Sequence, residues 1–352
     1  MAEEEQSASV LRRRWRKFRT LKRGWYSFLL LTGAFLVTFA NPLLINNTAL
    51  VVHYQGTTHF PVFGAHLEAR DLGQRVIGEA RYRDLKRQYA EAGEGDWVVM
   101  PPYPFHPNES LLREASLPGS PPHPPSTTHW MGTDDRGRDV FARLVYGFRI
   151  SLTFGLGVVL TAYTIGTALG ASLGYFGGRY DILMQRFVEI WAGLPFLYTV
   201  IIVSSLLRPN LAVLIGILSM FGWIRISYYV RGEFYREKAK DYVAAAIAQG
   251  ESNASIIFRH ILPNALTPIV SFAPFALVGN IAALVSLDFL GFGVQPPTPS
   301  WGELVGQGKS NIQDWHLVLF PLGAMFLTLM MVVFIGEAIR EAFDPKTFSR
   351  LR

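Results

Sequence analysis

Residues 231–264 read RGEFYREKAKDYVAAAIAQGESNASIIFRHILPN, a polar island between two long apolar stretches. Its centre is Ala245-Ala246-x3-Gly250, and Leu262-Pro263 follows after eleven further residues. A plain loop between membrane helices has no need of so much patterned helix, so the island is predicted to be gripped by something outside the membrane. Ala245 and Ala246 offer a narrow helical face, Gly250 ends that helix and turns the chain, and Ser252 starts a second short one. Pro263 then falls in the first turn of the next apolar run, where its missing N–H costs little.

The flanking runs decide the class. Half of the 352 residues are hydrophobic and only 17% are charged, and six stretches approach the roughly 20 apolar residues that cross a bilayer: 24–39, 150–178, 187–207, 211–229, 261–287 and 317–336. The first has Asn41-Pro42 beyond it and no small-x-small cleavage site, so it reads as a retained anchor rather than a signal peptide. Arg12, Arg13, Arg14, Arg16, Lys17, Arg19, Lys22 and Arg23 keep the amino terminus inside. Six crossings return Arg340, Lys346, Arg350 and Arg352 to the same side, and the island with Arg231, Arg236, Lys238, Lys240 and Arg259 also falls there. The net charge of +6 is thus spread over the flanks of spans, not gathered in a stripe for nucleic acid. Without cysteine, disulfides, thiolate metal sites and cysteine nucleophiles are excluded.

The expected organisation is a basic cytoplasmic terminus (1–23), an anchor (24–51), a periplasmic insertion ending in an interfacial helix (52–148), a core of five further spans (149–341) and a cytoplasmic tail (342–352). Within the insertion, two short strands flank Gly56, a charged helix covers 79–92, and a proline-rich tether ends near Trp130, either a spacer or a contact surface. From Arg138 the apolar residues Val140, Phe141, Leu144, Val145 and Phe148 share one face, which predicts a helix lying on the membrane surface. The Gly- and Pro-rich stretch after Asp288 precludes regular helix and predicts a re-entrant or surface loop.

Candidate chemistry is sparse. Gly306-Gln307-Gly308-Lys309-Ser310 imitates a phosphate loop, but G-x4-G-K-[ST] requires glycine where Glu303 stands. The histidines lack the spacing of a metal site, and His260 reads as an anchor or partner contact more readily than as a general base. Glu189 and Arg225 are explained by a structural pair or by snorkelling, or else line a cytoplasmic gate, and Asp288, at the outer end of the fifth span, is a candidate rim contact for the amine of a cargo molecule.

Asp241-Tyr242-Val243-Ala244-Ala245-Ala246-x3-Gly250 through Arg259-His260-Ile261-Leu262-Pro263-Asn264 resembles the EAA loop of permease subunits in bacterial ATP-binding-cassette (ABC) importers. Gly132-Thr-Asp-Asp-Arg-Gly-Arg-Asp-Val, Asp288-Phe-Leu-Gly-Phe-Gly and Glu337-Ala-Ile-Arg-Glu-Ala-Phe-Asp-Pro resemble the C-type dipeptide and oligopeptide permeases. The insertion opening with Val51-Val52-His53-Tyr54-Gln55-Gly56 looks most like the microcin C type. The resemblance implies an all-α membrane protein with six transmembrane helices, the type I ABC importer permease fold, an external insertion between helices 1 and 2, and residence in the bacterial inner membrane. It implies ATPase coupling through Asp241, Tyr242, Ala245, Ala246, Gly250, Arg259, His260, Leu262, Pro263 and Asn264. It also implies a second permease subunit, cytoplasmic ATPase subunits using ATP and Mg, and a periplasmic peptide-binding protein, with no cofactor or metal in this chain and no enzyme activity. Ala244 occupies the family's glutamate position, which puts a salt bridge from there in doubt. The rival expectations are an ion-coupled carrier, which should show buried charges or a repeated half, and a membrane-embedded hydrolase built on His260 and a serine.

Overall fold

The computed structural model describes residues 10–64, 67–112, 119–207, 209–310 and 313–343. The tail basic residues Lys346, Arg350 and Arg352 and most of 342–352 lie outside them, as do residues 1–9. In chain order the helices are α1 (Val10–Thr20), α2 (Lys22–Val37), then after a three-stranded sheet's first strands β1 (Val51–Tyr54) and β2 (Thr57–His59), α3 (Tyr82–Ala92) and β3 (Trp97–Val99). There follow α4 (Val140–Phe176), α5 (Gly178–Ala192), α6 (Phe196–Leu206), α7 (Leu211–Lys238), α8 (Asp241–Ala248), α9 (Leu262–Phe289), α10 (Trp301–Ser310) and α11 (His316–Phe343). The chain divides into two compact units, one of Met1–Thr32, Ser151–Gln295 and Met325–Arg352, the other of Gly33–Ile150 and Pro296–Ala324.

Among the described residues five helical runs are long and apolar enough to cross a membrane: Lys22–Leu44, Val140–Phe176, Leu211–Lys238, Asn253–Phe289 and His316–Phe343. The expected third span, 187–207, is broken, because α5 and α6 meet at 72° across Gly193, Leu194 and Pro195. Proline forces the preceding residue out of the helical region and has no N–H to continue the ladder. The link 179–186 between the second and third expected spans is helical: Gly177 and Gly178 at φ 65° and 60° make the turn ahead of it.

In the first unit α4 lies close on α7. A Cβ on Gly166, Gly170 or Gly174 would overlap Ile226, Ser227 or Phe234 respectively, the small-residue spacing that lets two membrane helices approach. The fifth span also departs from expectation. The short helical turn Asn253–Ser255 does not stand apart from it but continues through a π-helical segment, Ile256–Ile261, into α9. Leu262 N–H bonds back five residues to the Ile257 carbonyl, and Pro263 has no N–H to give, so the wider turn accommodates the missing donor.

In the second unit the strands are ordered β2-β1-β3 and antiparallel, with Val52 opposite both His59 and Val98. Gln55 and Gly56, both at positive φ, form the two-residue turn whose twist suits a hairpin. The face carrying Val52, Tyr54 and Val98 packs on Tyr82, Leu85 and Tyr89 of α3, where Tyr54 and Tyr89 stack at 5.6 Å. Apart from the break at Gly193–Pro195 the spans are thus helical, while segment 52–130 contains a sheet whose third strand the sequence reading lacked.

The expected surface helix after Arg138 is corrected. Arg138, Asp139 and Arg143 are buried: Asp134 accepts from Arg138 N and Nε at 2.8 and 2.7 Å, and Glu303 of α10 accepts from Arg138 Nη2 at 2.9 Å and from Arg143 Nη2. Asp139 caps α4 through Ala142 N at 2.8 Å. The opposite side, with Phe141 and Val145, packs on Ile45, Tyr103 and Phe105. The start of this helix is thus packed on protein along its apolar face and ion-paired along its polar face.

Candidate functional site

The polar island folds as one braced element. Helix α8 ends in a Schellman motif: Gly250, at φ 77°, donates to the Ile247 carbonyl at 3.0 Å, and Glu251 N–H reaches Ala246 O at 3.2 Å. Ser252 caps the following turn through Ser255 N. Beneath it Val243, Ala246, Ile256, Ile261 and Ala265 join Val230 and Phe234 of α7 and Ala171 and Tyr175 of α4 in a buried cluster. The element is therefore packed directly on helices that cross the membrane.

Hydrogen bonds fix it further. The buried Glu237 carboxylate accepts from Lys240 Nζ and from the Tyr242 hydroxyl, both at 2.7 Å. Burial, and then the Glu237 charge, push the Tyr242 phenol up from its ordinary value, so it stays a donor. Asn264 Nδ2 donates to the His260 carbonyl at 2.9 Å. Glu251 meets Ser255 Oγ at 2.6 Å and His260 Nε2 at 2.9 Å, and these two bonds lower its carboxyl below the usual range. Tyr175 OH donates to Asn253 Oδ1 at 2.7 Å, and Lys238 Nζ to the Tyr175 carbonyl. At the island's start Arg231 grips Asp181 of α5 with Nε (2.6 Å) and Nη2, and Tyr235 OH adds a third bond at 2.6 Å.

The residues expected to couple divide into two groups. Ala246 is buried and packs inward, and Tyr242 and Leu262 are partly buried; His260 is tied to Glu251 and Asn264 to the His260 carbonyl. Ala246 therefore cannot present a face to another protein, which corrects the paired Ala245–Ala246 expectation. Asp241, Ala245, Gly250, Arg259 and Pro263 are exposed. With them are three residues the sequence reading left out of the site: Ala248, Ile247 at 51% exposure and Phe258 at 67%. Large apolar side chains left bare beside small ones suit a groove-filling contact. Glu237, Glu251, Asp181 and Tyr175 were also missed; acidic or aromatic residues near span ends gave a weak signal, but their partners are distant in sequence.

Two of the three pathway candidates have local partners. Glu189 pairs with Arg186 one turn away, both exposed. Arg225 is exposed. Asp288 Oδ1 accepts from Val294 N at 2.7 Å, across a second Schellman turn in which Gly291 stands at φ 82°; its carboxylate shapes the loop after α9. Among the described residues no three His, Asp or Glu side chains are grouped to hold a metal ion.

Comparison with known proteins agrees with this geometry. Residues 166–349, just over half of the chain, match the family described as binding-protein-dependent transport system inner membrane component. The inner membrane ABC transporter permease protein YejE of Escherichia coli is 41% identical over 334 residues, 94% of this chain and 96% of that protein. The peptidoglycan transport system permease protein YejE of Agrobacterium fabrum is 38% identical over 96% of this chain and 93% of its own. The dipeptide transport system permease protein DppC of Bacillus subtilis is 39% identical over 63% of this chain and 70% of its own. Among solved structures, an inward-facing form of the MetNI methionine ABC transporter superposes with a TM-score of 0.50 at 18% identity, covering 58% of this chain and 97% of that one, and shares the type I importer permease fold. The chain belongs to the inner-membrane permease components of binding-protein-dependent ABC transport systems, which translocate and are not themselves enzymes.

Proposed function

We propose that this chain imports peptides across the bacterial inner membrane as one half of a pathway completed by a second, distinct permease. Its cargo is oligopeptides, including wall-derived peptides and microcin C-like conjugates. The reading draws support from near full-length similarity to both YejE proteins, where the dipeptide permease matches only 63% of the chain. In this reading the termini and 231–264 are cytoplasmic, and 52–148 is a periplasmic insertion facing a soluble peptide-binding protein. ATP and Mg belong to a separate ATPase dimer.

The observation that carries the coupling role is the braced element itself. Its inner face is locked to α7 and α4 and its far end runs through the π-helical segment into α9. A push on the exposed Ala245, Ala248 and Phe258 surface is thus delivered to three spans at once rather than absorbed in a loop. ATP binding closes the ATPases and opens the helices outward; hydrolysis resets them. Glu189, Arg225 and Asp288 stand along or at the rim of that route.

Purification of the tagged chain in mild detergent should bring down a second permease and a nucleotide-binding subunit, and uptake of labelled oligopeptide should vanish when the ATPase gene is deleted. Uptake persisting without any ATPase would overturn the reading in favour of an ion-coupled carrier.

A further inference from the structure

We infer that Arg225 is a carboxylate-binding residue of the translocation route and takes the C-terminal carboxylate of a passing peptide. The inference rests on the peptide reading above and on α7 being a membrane span. It adds the group of the cargo that is held and the side chain that holds it.

Arg225 lies within the apolar stretch of α7, ahead of the basic cluster that opens at Arg231. Among the described residues its guanidinium makes no hydrogen bond or ion pair. The sequence explains why. No Asp or Glu occurs in 140–180, 190–232 or 252–287, so α4, α6 and the body of α9 carry no carboxylate to offer it. The two on α5 are taken, Asp181 by Arg231 and Glu189 by Arg186. A charge inside a span is costly in hydrocarbon and faces protein or a water-filled path. Snorkelling is opposed by geometry, because a helical side chain leans toward its own N-terminus. That lean carries Arg225 away from the nearer end of the apolar stretch, at Tyr229, and toward its middle.

The surroundings are those of a route rather than a lipid face. Trp223, Ile226 and Val230 turn inward and are buried, Trp191 of α5 donates to the Met220 carbonyl at 2.7 Å, and Tyr229 stacks on Phe272 of α9 at 4.4 Å. Left uncovered is a strip of Gly222, Arg225, Tyr229 and Gly232, spaced three and four apart along one side of the helix. Its members are small, cationic or hydroxyl-bearing, unlike the bare Leu160, Leu206 and Phe326 of other spans. The Tyr163 phenol of α4 lies within electrostatic reach of both Arg225 and Tyr229, so two phenols share the surroundings of the guanidinium. A guanidinium binds a carboxylate as a two-pronged fork, and every peptide with a free C-terminus carries one.

The test measures uptake in cells carrying the whole importer, given a pool of mixed-sequence tetrapeptides or the same pool amidated at the C-terminus, read by mass spectrometry. Arg225→Gln should cut uptake of the free acids by about tenfold or more and leave the amides unchanged, because only the acids lose a partner. Arg225→Lys, which keeps the charge but not the fork, should fall between. One binding protein serves every variant, so its own selection cancels in the comparison. An equal fall for acids and amides, or no fall, would overturn the inference. So would loss of the second permease from the purified Arg225→Gln complex, which would assign the arginine to a carboxylate of that subunit. Wild type importing neither pool would instead sink the peptide reading, and this inference with it. Because the chain has no cysteine, Arg225→Cys provides a single thiol whose labelling does not depend on transport. A water-soluble methanethiosulfonate should modify it in the assembled complex; modification by a membrane-soluble maleimide alone would place the side chain in lipid and refute the inference.

Discussion

Glu237 is the residue on which the proposed coupling element turns, because a carboxylate buried at the end of α7 collects the two donors that open α8. Glu237→Ala strips both of their acceptor, and hydrogen bonds to a charged group are worth about 1.5–3 kcal/mol each. The solubilised protein should lose thermal midpoint accordingly; an unchanged midpoint would mean Lys240 and Tyr242 find other acceptors. Glu251 gives a pH dependence with a definite sign. Its folded pKa lies below the ordinary glutamate value of 4.5, because Ser255 and His260 bond the charged form. What it contributes is therefore fully present above about pH 4.5 and is lost only as pH falls through the lowered folded value. Limited proteolysis at the Gly250 turn should consequently be flat between pH 5 and 8 and quicken in stronger acid for wild type, while Glu251→Gln loses that acid step. Opening of the turn in wild type already at pH 6 would rule out this account of Glu251.

At the level of elements, two packings carry risk. The α4–α7 contact depends on having no side chain at Gly170, where a Cβ would strike the Ser227 carbonyl. Overpacking costs about 1–3 kcal/mol, so Gly170→Leu should lower both accumulation in the membrane and thermal midpoint, whereas Gly216→Ala, with open space at its Cβ, should not. The second is the clasp of α4 and α10. Arg143 is fully buried, and removing one partner of a buried ion pair costs about 3–5 kcal/mol because the other charge is left behind. Arg143→Leu should therefore leave Arg138 as the remaining partner of both Glu303 and Asp134 and destabilise the second unit; a double-mutant cycle of Arg143→Leu with Glu303→Leu would measure how much of the loss lies in that pair.

For the molecule as a whole, only 22–39% of the most apolar window of each span is buried within the chain, and bare side chains such as Leu160, Leu206 and Phe326 line the remainder. Apolar surface of this kind is covered in a membrane by lipid or by neighbouring helices. The proposed coupling face makes a sharper demand. Ala245→Trp adds bulk to an exposed position and should leave the chain inserted and folded, yet cut ATPase co-purification and peptide uptake by about tenfold or more. Ala246→Trp, one residue on, places the same bulk into the buried cluster and should fail at folding instead. Equal behaviour of the two variants would refute the division of that helix into an inner and an outer face.

Membrane class, five of the spans, the Gly250 turn and the Ser252 cap were determined by sequence alone, since apolar run length and turn chemistry are local properties. The family resemblance rested on equally local motifs. The break of the third span at Pro195 was there to be read but was outweighed by its hydrophobicity. Only the tertiary structure decided which alanine of Ala245–Ala246 faces in, since one residue's rotation of a short helix is set by what it packs against. Long-range partners decided the rest. Asp181 and Arg231, like Arg143 and Glu303, are ordinary charges in the chain and become a brace and a clasp only when folding brings their distant elements together, because an ion pair leaves no periodicity in sequence.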